Sequence, residues 1–247
     1  MQFNLISIFP EFFDQLKHGV LGKAKDLGLI SLNTINPRNF SNFKNKKIDD
    51  NQFGDEDGMV MMAEPLTKAV KSIHHKRRGN IILMSPQGKT LDHRKVVELS
   101  NAKFLTIVCG RYEGIDQRFI DNYVDDEISI GDYVVTGGEL PALILIDAIS
   151  RLVPGVVGKY SSVENDSFYN GLLKGPVYTR PRKFENISIP EVLLSGNHQK
   201  IKDWRIRQSL IATLKTKPEL IKEIKLTKKT KKTLGRNRFL YYPIARF

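Results

Sequence analysis

The sequence predicts an α/β protein: a mainly parallel sheet covered on both faces by helices, followed by a smaller helical region. Two observations carry this. Short apolar runs alternate with helical patterns along the first 150 residues, and strands separated by helices pair in parallel because each crossover returns the chain to the same edge. The charge then changes abruptly. Residues 1–150 carry 18 Lys and Arg against 20 Asp and Glu, whereas residues 151–247 carry 21 against 7, so the whole excess of the +12 chain lies in its last two-fifths.

Taken in order, FNLISIF reads as a strand, PEFFDQLKHGVLGKAKDLG as a helix ending in a glycine cap, and SLNTIN as a second strand. Residues 38–58, RNFSNFKNKKIDDNQFGDEDG, are polar, glycine-bearing and without period, which predicts a long mobile loop. EPLTKAVKSIHHKR, LDHRKVVELSN and IDQRFIDNY read as helices, and NIILMSP, FLTIVCG and EISIGDYVV as strands between them. ALILIDAISRLV is a strongly apolar helix. PGVVGKYSSVENDSFYNGLLKGP is rich in turn formers and lacks a sustained apolar period, so it is the candidate linker. LLSGNHQKIKDWRIRQSLIATLKTKPELI then reads as helices with Lys and Arg on exposed faces. The expected division is a ligand-binding domain at 1–157, a linker at 158–173 and a basic helical domain at 174–247 ending in a lysine-rich tail.

Several classes drop out. No segment approaches the ~20 apolar residues of a membrane span, and the start MQFNLISIFPEFF lacks the basic opening and small-residue cleavage site of a secretory signal. A cytoplasmic protein is expected. The single cysteine, Cys109, excludes an internal disulfide framework and a cysteine-rich zinc site, and His74 and His75 are adjacent rather than at ligand spacing. The basic second region points to a polyanion, with nucleic acid the leading candidate and a merely solvated basic face the alternative.

Three apolar strands end in glycine-containing loops: LMSPQGK at 83–89, VCGRYEG at 108–114 and SIGDYVVTGGELP at 129–141. In an open parallel sheet such loops gather at one edge, where ligands bind. None matches G-x-x-x-x-G-K-[ST] or G-x-G-x-x-G, so the ligand need not carry phosphates. The first loop offers Leu83, Ser85 and Pro86; the second offers Gly110, Arg111, Tyr112 and Glu113. The third offers Ser129, Ile130, Gly131, Tyr133 and Val135, then Gly137, Gly138, Leu140 and Pro141. Apolar walls, backbone groups and few charges suit a flat neutral ring with a sugar and an ammonium group. Adenosine attached to a methionine fits, as do many other molecules. The glycine pair is either a tight strand-to-helix turn or a place where something leaves no room for Cβ.

The runs ISIFPEFF, MSPQGK, CGRYEGIDQR, EISIGDYVVTGGELPALILIDAISRLVPGVVG, DSFYNGLL, YTRP and LSGNHQKIKDWR resemble, in order, the bacterial tRNA (guanine-N1)-methyltransferases of the TrmD type. These belong to the SPOUT methyltransferases. The resemblance implies a deep trefoil knot at the nucleotide-binding edge, a homodimer, and S-adenosylmethionine held by the three loops. It implies methylation of N1 of the guanine on the 3′ side of the tRNA anticodon. Gly137 and Gly138 would then lie in a knot loop against the cofactor and other chain segments.

The resemblance also assigns Asp166 as catalytic base and Arg151 as the group that stabilises charge on guanine O6. Read without it, Arg151 follows Asp147 at i,i+4 and could be a plain helix pair, Asp166 could be a turn or cap residue, and Arg111 with Glu113 could be a surface ion pair. Two departures stand out. The family's glycine-rich GGGxGMVM is here interrupted by Asp55, Glu56 and Asp57, a solvated acidic loop or a magnesium site, and Lys174 stands where the family commonly has aspartate. Two alternatives stay open: a non-catalytic RNA-binding protein of the same fold, and a SPOUT enzyme acting on another RNA position.

Overall fold

The computed structural model describes residues 1–54 and 57–223, so Asp55, Glu56 and the lysine-rich tail lie outside the described residues. The chain separates into two compact units, the first Met1–Tyr160 and the second beginning at Ser161. The first unit is built on a five-stranded sheet. Its strands are β1 (Gln2–Ile6), β2 (Ser31–Ile35), β5 (Asn80–Thr90), β6 (Phe104–Cys109) and β7 (Asp126–Ser129), in the order β2-β1-β6-β5-β7. Every pair in it is parallel, as the alternating pattern requires.

Side chains on a strand alternate between faces, and the core divides accordingly. On one face Phe3, Leu5, Ile82, Leu105 and Ile107 join the buried side chains of α4 (His93–Ser100) and α6 (Glu139–Ser150). On the other, Ile6, Ile81, Leu83 and Val108 meet Leu66, Ala69 and Val70 of α2 (Ala63–Ser72) and Phe119 of α5 (Gln117–Tyr123). That second face also buries Asn4 and Thr106, and the amide of Asn4 donates to Thr106 Oγ at 3.3 Å and to the Arg77 carbonyl at 2.9 Å. Thr106 donates in turn to the Arg78 carbonyl at 2.6 Å. The buried polar groups are thereby satisfied.

Four segments differ from the sequence reading. The expected helix at 10–28 is a 3-10 helix, Pro10–Lys17, followed by α1 (Gly19–Asp26). His18 is extended and Gly19 takes φ 62°, which ends one helix before the next begins. The expected loop at 38–58 contains β3 (Asp49–Asn51), which pairs antiparallel with β4 (Met59–Met61) just beyond it, and these three-residue strands are too short to show a period. The helix after Glu64 breaks at Ile73 and resumes as α3 (His75–Arg78). β7 stops at Ser129, so the expected strand residues Gly131–Val135 form bends and irregular chain instead.

A short helix, α7 (Tyr160–Glu164), lies inside the expected linker, where the first unit gives way to the second. β8 (Lys183–Phe184) and β9 (Ile187–Ser188) form a small antiparallel pair, and the main element is α8 (His198–Thr216), followed by α9 (Glu219–Glu223). Asn197 caps α8 by accepting from the Lys200 amide at 3.0 Å. Trp204 of α8 lies beside Tyr178, ring centroids 6.2 Å apart.

Candidate functional site

The register of the sheet fixes where the three glycine loops begin. Met84 lies opposite Cys109 on β6 and opposite Ile128 on β7, so the three form one rung at the carboxyl edge. The next residues are Ser85, Gly110 and Ser129, and each opens one of the loops. β5 leaves its pairing after Met84 and resumes with Lys89 against Ile128, which throws Ser85–Gly88 out as a loop. Together the loops enclose a cleft of about 280 Å³.

Leu83, Ser85 and Pro86 line it from the first loop, and Gly110, Arg111, Tyr112 and Glu113 from the second. Ser129, Ile130, Tyr133 and Val135 line it from the third, with Gly137, Gly138 and Pro141. Two expected residues do not. Gly131, at φ 144°, is folded against its own loop, and a Cβ there would meet the Tyr133 ring at 2.6 Å. Leu140 is one helical step from Pro141 and faces largely outward, 47% exposed. Residues that the sequence did not single out also line the cleft, among them Met84, Gln87, Val134 and Thr136.

The glycine pair has two separate causes. A Cβ on Gly138 would lie 2.7 Å from Cys109 Cα and 2.9 Å from Gly110 N, because the start of α6 is pressed onto the end of β6. The amide of Gly138 donates to the Gly110 carbonyl at 2.9 Å, which holds the two segments together. A Cβ on Gly137 would meet the Arg111 side chain instead, 2.2 Å from Nε. Gly110 is different: a Cβ there would touch Ile115 at 3.7 Å and Leu83 at 4.0 Å, ordinary contacts, so packing alone does not require glycine at this wall of the cleft.

Arg111 pairs with Glu139, not with Glu113. Its Nε donates to Glu139 Oε2 at 2.8 Å, and its Nη1 donates to the Thr136 carbonyl at 3.1 Å. Glu139, the first residue of α6, is fully buried, and its other oxygen accepts from Ser7 Oγ at 2.5 Å. The guanidinium also lies over the Phe9 ring at 4.8 Å and the Phe12 ring at 5.4 Å. Burial pushes the Cys109 thiol well up, Glu139 adds to that, and Arg111 opposes it. Nothing marks Ser7 in the sequence, and a glutamate at a helix start reads there only as a favourable first-turn charge.

The hairpin of the supposed loop backs the second loop. Glu113 N donates to Met59 O at 2.9 Å, Met61 N to Gly114 O at 2.9 Å and Asp116 N to Met61 O at 3.0 Å. Tyr112, at φ 61°, accepts at its hydroxyl from Arg38 Nη2 at 3.4 Å.

Arg151 is the residue that ends α6, its amide donating to the Asp147 carbonyl at 3.2 Å. Asp166 belongs to the second unit, where its amide donates to Val163 O at 3.1 Å and its carboxylate pairs with Lys174 Nζ at 3.1 Å. The Lys174 segment is tied to α8 on both sides, by Leu173 N to Thr213 Oγ at 2.9 Å and by Gly175 N to Ser209 Oγ at 3.1 Å. Among the described residues no group of three or more His, Cys, Asp or Glu is placed to hold a metal. No helix among them is long and apolar enough to cross a membrane.

A parallel α/β unit with a glycine-walled cleft at its carboxyl edge and a helical second unit is the setting of a small-molecule-dependent enzyme. The sequence model of the family described as tRNA (Guanine-1)-methyltransferase TrmD matches residues 1–223. The chain belongs to that family, and it is a methyltransferase. It is 47% identical over 235 residues to a Staphylococcus epidermidis (strain ATCC 12228) tRNA (guanine-N(1)-)-methyltransferase, covering 95% of this chain and 96% of the relative. It is 45% identical over 234 residues to the protein so named in Clostridium perfringens strain 13, at 95% and 99% coverage. A Buchnera aphidicola (subsp. Baizongia pistaciae) protein of the same name is 48% identical over 238 residues, at 95% coverage of both chains.

Proposed function

We propose that the protein transfers the methyl group of S-adenosylmethionine to N1 of the guanine on the 3′ side of the tRNA anticodon. It works as a homodimer whose cofactor edge is a deep trefoil knot. The observation that carries this reading furthest is the cleft, where three register-aligned loops gather apolar walls and backbone groups with no phosphate cradle. Gly110 supports it, being a glycine on the wall that no neighbouring chain atom demands. Family membership and the relatives' names support the substrate and the atom. The knot is supported by the close seating of Gly138 on Cys109 and Gly110, and the homodimer by Leu140 and Ile144. These lie one turn apart on α6 and are 47% and 49% exposed.

When bound, S-adenosylmethionine supplies an electrophilic methyl group on a sulfonium. Leu83, Pro86, Ile130 and Pro141 would give its ring an apolar seat. The chain's own work concerns the proton. Guanine N1 is protonated at neutral pH and has no lone pair to offer, so a carboxylate in reach must take that proton, and the resemblance assigns this to Asp166. As N1 loses it, negative charge grows on O6. Arg151 is the assigned cation for that charge. The domain scheme follows: 1–157 holds the cofactor, 158–173 carries the base, and the basic 174–247 meets tRNA phosphates. The cytoplasm, where tRNA is modified, is the proposed location.

The test is Asp166→Asn in single-turnover transfer to an unmodified tRNA transcript, with the modified nucleoside mapped by mass. The amide keeps the shape but accepts no proton, so the rate should fall about 10²–10⁴-fold while cofactor affinity measured by calorimetry stays within about twofold. Mixing Asp166→Asn with a cofactor-deficient Gly110→Ala variant should restore one working site per heterodimer if the base comes from the partner. Full activity in Asp166→Asn would refute the base, and a methyl group on another atom would refute the position.

A further inference from the structure

A fixed cation on the wall of a cleft for a sulfonium is a liability unless its charge is cancelled. Arg111 is such a cation. It lines the cleft, its side chain is only 15% exposed, and it is pinned where it stands. Phe9 and Phe12 lie over its guanidinium, the Thr136 carbonyl holds Nη1, and Gly137 packs against it so closely that a Cβ there would stand 2.2 Å from Nε. These contacts hold it in place. Among the described residues the carboxylate that pairs with it is Glu139, fully buried and held in turn by Ser7. A buried carboxylate is costly to desolvate and persists where a hydrogen-bonded cation compensates it.

We infer that Glu139 is a specificity-determining residue, which cancels the Arg111 charge so that the cleft accepts a cationic sulfonium ligand as readily as a neutral thioether. Ser7 is its positioning residue, fixing the carboxylate toward Nε. The inference rests on the reading that this cleft binds S-adenosylmethionine. It assigns a role to a buried acid that the methyl-transfer chemistry itself leaves unused. Glu139 acts through Arg111 and need not touch the ligand.

The experiment compares calorimetric affinities for S-adenosylmethionine and for S-adenosylhomocysteine, which differ by the methyl group and the positive charge. In Glu139→Gln the unmatched Arg111 should lower the preference for the sulfonium over the thioether roughly tenfold, the size a unit charge carries at a partly buried site. In the Arg111→Gln/Glu139→Gln double variant the preference should return to within about twofold of the wild type, because no net charge remains. A merely structural role would weaken both ligands alike and leave their ratio unmoved; that result in folded Glu139→Gln overturns the inference. Should Glu139→Gln not fold by circular dichroism, Arg111→Gln carries the test with opposite sign. Its preference should move toward the sulfonium, and no shift or the reverse shift overturns the inference. Failure of the wild type to bind either ligand would instead overturn the cofactor reading, and this inference with it.

Discussion

Replacing Gly138 by alanine isolates one contact, and its size follows from the structure. The added Cβ would stand 2.7 Å from Cys109 Cα and 2.9 Å from Gly110 N, both backbone atoms that cannot rotate aside. The Gly138 amide is bonded to the Gly110 carbonyl at 2.9 Å, so relief by sliding α6 outward strains that bond as well. Overpacking of this kind costs about 1–3 kcal/mol. Against it, alanine stabilises by about 0.4–1 kcal/mol through the unfolded chain, and the φ of −75° at Gly138 permits alanine. The net loss is about 0.5–2 kcal/mol, or roughly 1–8 °C in Tm for a chain of this size.

Two companion variants give the argument its order. Gly110→Ala meets Ile115 at 3.7 Å and Leu83 at 4.0 Å, ordinary contacts, and should melt within about a degree or two of the wild type while losing cofactor affinity. Gly137→Ala must push the Arg111 guanidinium off its Glu139 oxygen, a loss bounded above by the about 3–5 kcal/mol of removing one partner from a buried pair. Differential scanning calorimetry on the full chain should therefore rank Gly110→Ala highest, Gly138→Ala next and Gly137→Ala lowest. Gly138→Ala melting at or above the wild type would refute the contact, and Gly137→Ala milder than Gly138→Ala would refute the pinning of Arg111.

Asp116 caps α5, accepting from the Arg118 amide at 2.9 Å and from its guanidinium at 2.6 Å, and the Arg118 hydrogen bond holds its carboxyl below the usual carboxylate range. A depressed folded pKa contributes stability above the ordinary value near ~4 that is lost as pH falls through the lower folded value, so Asp116→Asn should flatten the acid limb of urea stability below about pH 4. Asp116→Ala should lose about 1 kcal/mol at pH 7 with the cap. The affinity for tRNA should fall steeply with salt, and removing residues 227–247 should flatten the slope of log affinity on log salt if the tail meets phosphates; an unchanged slope would make it a bystander.

What could be read from the sequence was what depends on neighbours along the chain. The alternation of apolar runs with helical periods required a parallel sheet, and runs such as FLTIVCG lie in it as β6 (Phe104–Cys109). The glycine pair announced a close approach, but not to what: Arg111 and Cys109 are the answers, and only the folded chain brings them there. Ser7 and Glu139 are 132 residues apart in the sequence, and nothing in ISIF or GGELP marks a bond between them. The three-residue strands of the hairpin fall below the length at which a period can show, so a backed and ordered segment read as a loop. At Gly131 the sequence does not show that a Cβ would meet the ring of Tyr133, two residues on.

Lys174 poses the sharpest question about turnover, because it brings a cation where the family commonly has an acid. Its ammonium pairs with the proposed base Asp166 at 3.1 Å, the two side chains 45% and 34% exposed. A pair open to solvent is worth about 0–1 kcal/mol, so parting it to admit a guanine costs the rate about fivefold at most. Nor does the loop rest on that pair. Leu173 and Gly175 hold the backbone to Thr213 and Ser209, and Ser167 Oγ accepts from the Lys174 amide at 2.9 Å, bonds that any side chain at position 174 leaves in place. Loss of a general base removes about 10²–10⁴ of rate, far more than a solvent-exposed pair can withhold. On the proposed assignment the lysine would modulate Asp166, and its pair with that carboxylate gives no support to a protein that binds tRNA without methylating it.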